Sequence, residues 1–291
     1  MKRSPLLLVV LISITLLSLL AWQGFLLWQA HSIKNELASR QTSMQRFFFN
    51  SMEKGNVPYD AYIAHGGGIN EFHYTNSLEG ALDALQQGLR FIELDLRISK
   101  DGHIVAVHDW SDMKQMAGLT DSSDEPLTLD ACNKLRLNGN LHILTAETIC
   151  HLLQQHADII LVTDKIRDYD LLLKEIPFPD RMIVEIFHLD EYRKALESGI
   201  RYPAFQVSSR EELKTARKLS MPIITLNAAK LLSKKADIEA IRAAHADGVT
   251  IMAYSAADTE QELAEFMKKH LGLSISKVYS DFPPSCLSAS D

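Results

Sequence analysis

Cysteine is scarce: Cys132, Cys150 and Cys286 are the only three in 291 residues, too few for a disulfide framework and not spaced like a zinc site. Cys132 and Cys150 could pair in an oxidising compartment, and two buried free thiols satisfy the sequence equally well. Basic runs are missing too. The formal net charge is -7 and no stretch interleaves Lys and Arg with aromatics, so nucleic acid is excluded as a partner and a polyanion meets no general basic field. Disorder is excluded by composition, since 46% of the residues are hydrophobic and 23% are charged.

Charge is also absent from Ser4 to Gln29, where Leu6 to Trp28 is nearly continuous Leu, Ile, Val and Phe. Such a run is long enough to cross ~30 Å of hydrocarbon at about 1.5 Å per residue. A cleavable signal peptide competes with this reading, because Lys2 and Arg3 form a basic start. The run exceeds a usual signal core and no Ala-x-Ala follows, which favours a retained transmembrane anchor over residues 1–30. Lys2 and Arg3 orient the amino terminus to the cytoplasm, and Trp22 and Trp28 fall where an interfacial belt would sit. The expected location is thus a single-pass membrane protein with its catalytic domain on the periplasmic or extracytoplasmic side. Residues 31–57 read as a juxtamembrane helix and linker, and residues 58–291 as one domain.

In that domain short apolar runs alternate with amphipathic stretches, the pattern of a parallel sheet with crossover helices. Eight strands are expected: Tyr62 to Ala64, Phe91 to Leu96, Ile159 to Thr163, Met182 to Phe187, Ala204 to Val207, Pro222 to Leu226, Gly248 to Met252, and Lys277 to Ser280. Helical patterns lie between most of them, for example Ser77 to Gln87 and Arg210 to Leu219. The predicted fold is α/β, a (β/α)8 TIM-type barrel preceded by one N-terminal transmembrane helix. An insertion over about 100–157 must hold a hairpin and a helical excursion.

Active sites of such barrels lie at the C-terminal strand ends. The first strand ends in His65-Gly66-Gly67-Gly68, whose glycines let the backbone approach a ligand closely. Glu93 and Asp95, two apart on the second strand, share a face. Two uncompensated carboxylates in a packed barrel need a cation, and all-oxygen ligands point to Mg2+ or Ca2+. After the turn at Asp101-Gly102, a strand over His103 to Asp109 brings His108 back near Glu93. His65 and His108 then form an acid/base pair suited to a phosphodiester.

His65-Gly66-Gly67, Thr75-Asn76-Ser77, Glu93-Leu94-Asp95, Asp101-Gly102 and His108-Asp109, in this order and spacing, resemble the glycerophosphodiester phosphodiesterases, within the wider phosphatidylinositol-phospholipase-C-like barrels. Ser280-Asp281-Phe282-Pro283 is similar to that family's motif at the last strand. The resemblance implies a metal-dependent phosphodiester hydrolase, with His65 and His108 catalytic and Glu93 and Asp95 as metal ligands. It departs at Gly66, where the family has Arg, and at Val162-Thr163-Asp164-Lys165, where the family has Glu-x-Lys. Asp164 is the expected third carboxylate ligand, although one residue out of register with that pattern unless the strand bulges, and Glu185 on the fourth strand is another candidate. Gly66, Lys165, Glu185 and Asn76 are expected to meet substrate, and Asn76 is equally suited to cap the first barrel helix with Glu79. The expected substrate is a phosphodiester small molecule, a lipid headgroup or an envelope polymer. A lyase or transferase on the same barrel, or a non-catalytic membrane-tethered binding protein, are the alternatives. His73, Trp110 and Tyr254 are read as packing or surface rather than pocket lining.

Overall fold

Period-two alternation decides which side chains face the barrel axis, and the computed structural model follows it through every strand. It describes residues 61–283 except 257, 258 and 272, together with 14–25, 28 and 31. The strands are β1 (Tyr62–Ala64), β2 (Phe91–Ile98), β3 (Ile104–Ala106), β4 (Ile160–Asp164), β5 (Met182–Ile186), β6 (Tyr202–Val207), β7 (Ile223–Asn227), β8 (Thr250–Tyr254) and β9 (Lys277–Ser280). All except β3 run parallel, and β1 pairs with both β2 and β9, so eight strands close into a barrel. The expected fold class is therefore present in its barrel part.

Ile63, Phe91, Val162, Ile183, Ala204 and Met252 pack on the axis. The opposite parity, including Ala64, Ile92, Leu94, Leu161, Val184 and Ile224, is buried beneath the surrounding helices. Most strand limits agree with expectation to within a residue or two, and one difference matters. β4 extends through Asp164, paired level with Asp95 on β2.

The insertion contains the expected hairpin, β3 lying antiparallel on β2 with Leu96 opposite Ala106. Helices Trp110–Met116, Leu129–Lys134 and Ala146–Gln155 follow. Val105, Val107, Trp110, Met113, Cys132 and Leu141 form a separate small core there. Burying each large apolar side chain stabilises the insertion by about 1.5–3 kcal/mol, enough to make this lobe a fixed support. Because Val105 and Val107 face that core, alternation turns His108 the other way, toward the barrel mouth. Trp110 is thus a core residue, as read from the sequence.

Asn76 is not the helix cap. The Leu78–Gln86 helix is capped by Ser77, whose hydroxyl accepts the Gly80 N–H at 3.1 Å. Asn76 has a left-handed backbone, φ +50°, that turns its side chain away from the helix. Glu79 instead accepts the His142 backbone N–H at 2.8 Å and meets its ring at 2.6 Å.

Cys132 and Cys150 are free thiols. No helix among the described residues is long and apolar enough to cross a membrane. The anchor expected over residues 1–30 falls largely outside the described residues. Within it residues 14–25 are helical, with Leu17, Leu20 and Trp22 exposed. The linker after residue 31 and the chain from 284 onward, including Cys286, also lie outside the described residues.

Candidate active site

Following the inward parity of each strand to its C-terminal end gathers the polar residues of the chain at one mouth. His65 follows Ile63, Glu93 and Asp95 follow Phe91, Asp164 follows Val162, Glu185 follows Ile183, and Tyr279 and Asp281 follow Lys277. Glu93 and Asp95 are each only 4% exposed. Carboxylate oxygens of Glu93, Asp95 and Asp164 lie within 4.8 Å of one another. The three expected metal ligands are therefore together, and the in-register pairing of β2 and β4 brings Asp164 into place without a bulge.

Each carboxyl is held differently. Glu93 Oε2 accepts the Gly66 N–H at 2.7 Å, yet burial, followed by the charges of Asp95 and Asp164, pushes Glu93 well above the usual carboxylate range. Burial also acts upward on Asp95, but the Lys165 ammonium at 2.7 Å and the Asn76 amide at 2.9 Å outweigh it and bring that carboxyl below its usual range. Asn76 further accepts the Asp95 N–H at 3.0 Å. Asp164 is pushed up to about 8 by burial and then by the charges of Asp95 and Glu185. Its Oδ1 is buried with no hydrogen-bond partner among the described residues.

A buried, unpartnered carboxylate oxygen beside two more carboxylates is a costly arrangement that a divalent cation relieves. The donor set is wholly oxygen, which suits Mg2+ or Ca2+ and not a thiolate- or imidazole-seeking metal. Lys165 can share this face with Asp164 because its backbone is left-handed, φ +60°, which breaks the strand alternation directly after β4.

The four residues expected to meet substrate are thus occupied with carboxyl groups. Gly66 holds Glu93, Asn76 and Lys165 hold Asp95, and Glu185 lies deeper, only 7% exposed, with its Oε1 accepting the Tyr279 hydroxyl. Burial pushes Glu185 upward as well.

Both histidines stand at the same mouth. His65 Nδ1 lies 3.1 Å from Asp281 Oδ1, and His108 Nδ1 lies 2.7 Å from Asp109 Oδ2. With Nδ1–H donated to a carboxylate, each ring turns Nε2 outward as the free nitrogen. Arg97 fixes the second pair, donating to the His108 carbonyl at 2.7 Å and to Asp109. The Tyr74 ring touches both imidazoles, its centroid 4.4 Å from that of His65 and 5.4 Å from that of His108. Burial, then the charges of Asp95, Glu93, Asp281 and Asp164, raises the Tyr74 hydroxyl well above its ordinary range, so it stays a neutral donor.

A cavity of about 480 Å³ opens beside His108, lined by Tyr74, Asn76, Asp109, Asp112 and Met113. A broader hollow of about 1000 Å³ lies past Lys165, bounded by Arg97, Asp124, Arg167 and Tyr169. Tyr254 is paired with Gln206, and His73 packs on Phe282, its ring centroid 5.4 Å away, so neither joins the histidines. Sequence reasoning missed Tyr74, Arg97 and the partnership of Asp281 with His65. A signal existed for Asp281, in the Ser280-Asp281-Phe282-Pro283 motif. Tyr74 lies in a loop with no periodicity to mark it.

Residues 65–167, which carry both histidines, the three clustered carboxylates and Lys165, match the sequence model of the Glycerophosphoryl diester phosphodiesterase family. A search of curated proteins finds no match. Among solved structures, a glycerophosphoryl diester phosphodiesterase from Parabacteroides distasonis is 19% identical, with a TM-score of 0.61 over 81% of this chain and 87% of that one. A glycerophosphodiester phosphodiesterase from Thermotoga maritima is 22% identical, with a TM-score of 0.60 over 76% of this chain and 94% of that one. An Oleispira antarctica phosphodiesterase in complex with the product sn-glycerol-3-phosphate is 17% identical, with a TM-score of 0.58 over 76% and 93%. These likenesses establish the shared fold, and the family match spans the stretch from His65 to Arg167. Over residues 65–167 the chain carries the sequence pattern of the glycerophosphoryl diester phosphodiesterase family, on a barrel of the fold that these solved structures share.

Proposed function

We propose that this chain hydrolyses a phosphodiester of glycerol or a similar polyol, using His65 and His108 as the acid/base pair and a divalent cation held by Glu93, Asp95 and Asp164. The observation that carries this reading is the pair of carboxylate-anchored imidazoles, both in contact with Tyr74, at the mouth that holds the three carboxylates. One imidazole Nε2 takes the proton of water as its oxygen bonds to phosphorus. The other protonates the alkoxide as the P–O ester bond breaks, so a phosphomonoester and an alcohol leave. A bound Mg2+ or Ca2+ would supply charge stabilisation for the phosphoryl oxygens. Lys165, beside Asp95, adds a fixed positive charge at the same place.

The amino-terminal stretch supports a second part of the proposal. The uncharged run from Ser4 to Gln29 anchors the chain in a membrane and places the barrel on the extracytoplasmic side, near lipid headgroups or envelope polymers. Recovery of the full chain from a carbonate-washed membrane pellet supports the anchor, and recovery from the soluble fraction removes it.

The catalytic proposal is tested with the full chain in detergent on bis(p-nitrophenyl) phosphate and glycerophosphodiesters, with Mg2+, Ca2+ or chelator. Cation-dependent release that His65→Ala abolishes is the expected result. A folded wild type that releases nothing under any of these conditions refutes it.

A further inference from the structure

Tyr74 stands inside the site with no part in the acid/base or cation roles. Its ring lies edge-on to both imidazoles, at interplanar angles of 70° to His65 and 63° to His108. Its backbone is left-handed, φ +59°, a conformation that bulky side chains avoid unless their surroundings impose it. Gly66 explains how the loop accepts this. A Cβ at residue 66 would meet Tyr74 Cα at 2.6 Å and the first ring carbon at 3.3 Å, so Tyr74 occupies the ground that any side chain at 66 would need. The ring is 38% exposed and lines the cavity beside His108, and its hydroxyl has no hydrogen-bond partner among the described residues. A neutral donor left free beside two acid/base groups, at the mouth that holds the carboxylate cluster, is placed for an anionic oxygen.

We propose that Tyr74 orients the substrate, its hydroxyl donating to a non-bridging phosphoryl oxygen while its ring sets the spacing of His65 and His108. This rests on the phosphodiesterase reading, so its test carries a readout independent of turnover. In the full chain with Mg2+, Tyr74→Phe should lower kcat/KM on a glycerophosphodiester by about tenfold to a hundredfold, the effect of one hydrogen bond to a charged oxygen. The loss should fall chiefly on KM if the bond forms equally in ground and transition states, and the melting temperature should stay unchanged. Tyr74→Ala, which also removes the ring, should lower kcat further. In parallel, calorimetric affinity for sn-glycerol-3-phosphate should weaken by a similar factor in Tyr74→Phe. A Tyr74→Phe enzyme with wild-type kcat/KM and wild-type affinity overturns the proposal and leaves the ring a packing element. If the wild type turns over no diester, the parent reading fails, and affinity alone then judges Tyr74. Equal affinity in the two proteins, or no binding by the wild type, overturns it.

Discussion

Asp164→Asn tests the cation site from the side of stability. In the folded chain the Asp164 carboxyl is pushed up to about 8, against 3.8 in the unfolded state. A raised acid binds its proton more tightly when folded. Its contribution to stability therefore worsens as pH rises from about 4 toward 8 and levels off above that. At about 1.36 kcal/mol per pH step, the interval up to pH 7 sets an upper bound of about 4 kcal/mol. Water at the barrel mouth and the nearby Lys165 ammonium reduce this to about 1–3 kcal/mol. Asparagine keeps the shape and removes the charge. In chelator at pH 7, Asp164→Asn should therefore melt above the wild type, and the gap should narrow on going to pH 5. Saturating Mg2+ or Ca2+ should reverse the order. A ligand at a hundred times its dissociation constant stabilises the wild type by about 2.7 kcal/mol, and the variant, short of a carboxylate, gains little. The assay is thermal unfolding of both proteins at pH 5 and 7, each with chelator and with cation. A variant less stable than the wild type in chelator at pH 7, or a cation that stabilises both alike, would refute the reasoning.

Other substitutions probe the remaining parts. His65→Ala and His108→Ala should each lower kcat by about a hundredfold to ten-thousandfold with little change in melting temperature, since both rings are partly exposed and their removal leaves the barrel intact. Gly66→Ala forces a Cβ to 2.6 Å from the Tyr74 backbone at a left-handed position. It should cost about 1–3 kcal/mol in denaturant unfolding and reduce activity through Tyr74 and Glu93. Ser77→Ala should cost about 1 kcal/mol by loss of the helix cap while leaving cation affinity unchanged. Asn76→Ala, which strips two hydrogen bonds from Asp95, should instead weaken cation binding measured by calorimetry. If the two effects are exchanged, the assignment of cap and carboxylate holder is wrong.

Much of this protein is a consequence of local pattern. Alternation at period two, interrupted by amphipathic stretches, fixes eight strands and their inward parity, because side-chain direction along a strand depends only on sequence spacing. It places Glu93 and Asp95 on one face, and the Asp101-Gly102 turn returns His108 to the same end. What local pattern cannot contain is the relation between segments that meet only when the barrel closes. Asp164 lies level with Asp95 because β2 and β4 pair in that register, and Lys165 shares its face through a backbone conformation that no spacing rule foretells. Ser77 displaced Asn76 as helix cap because tertiary contact with Asp95 claimed the asparagine side chain. Asp281 reaches His65 across 216 residues only because β1 and β9 are neighbours. Tyr74 reaches both histidines because Gly66 left room. The sequence by itself determined the barrel and the residue types at its mouth; closure of the sheet decided which of those residues touch, since register and loop packing arise from contacts between distant parts of the chain.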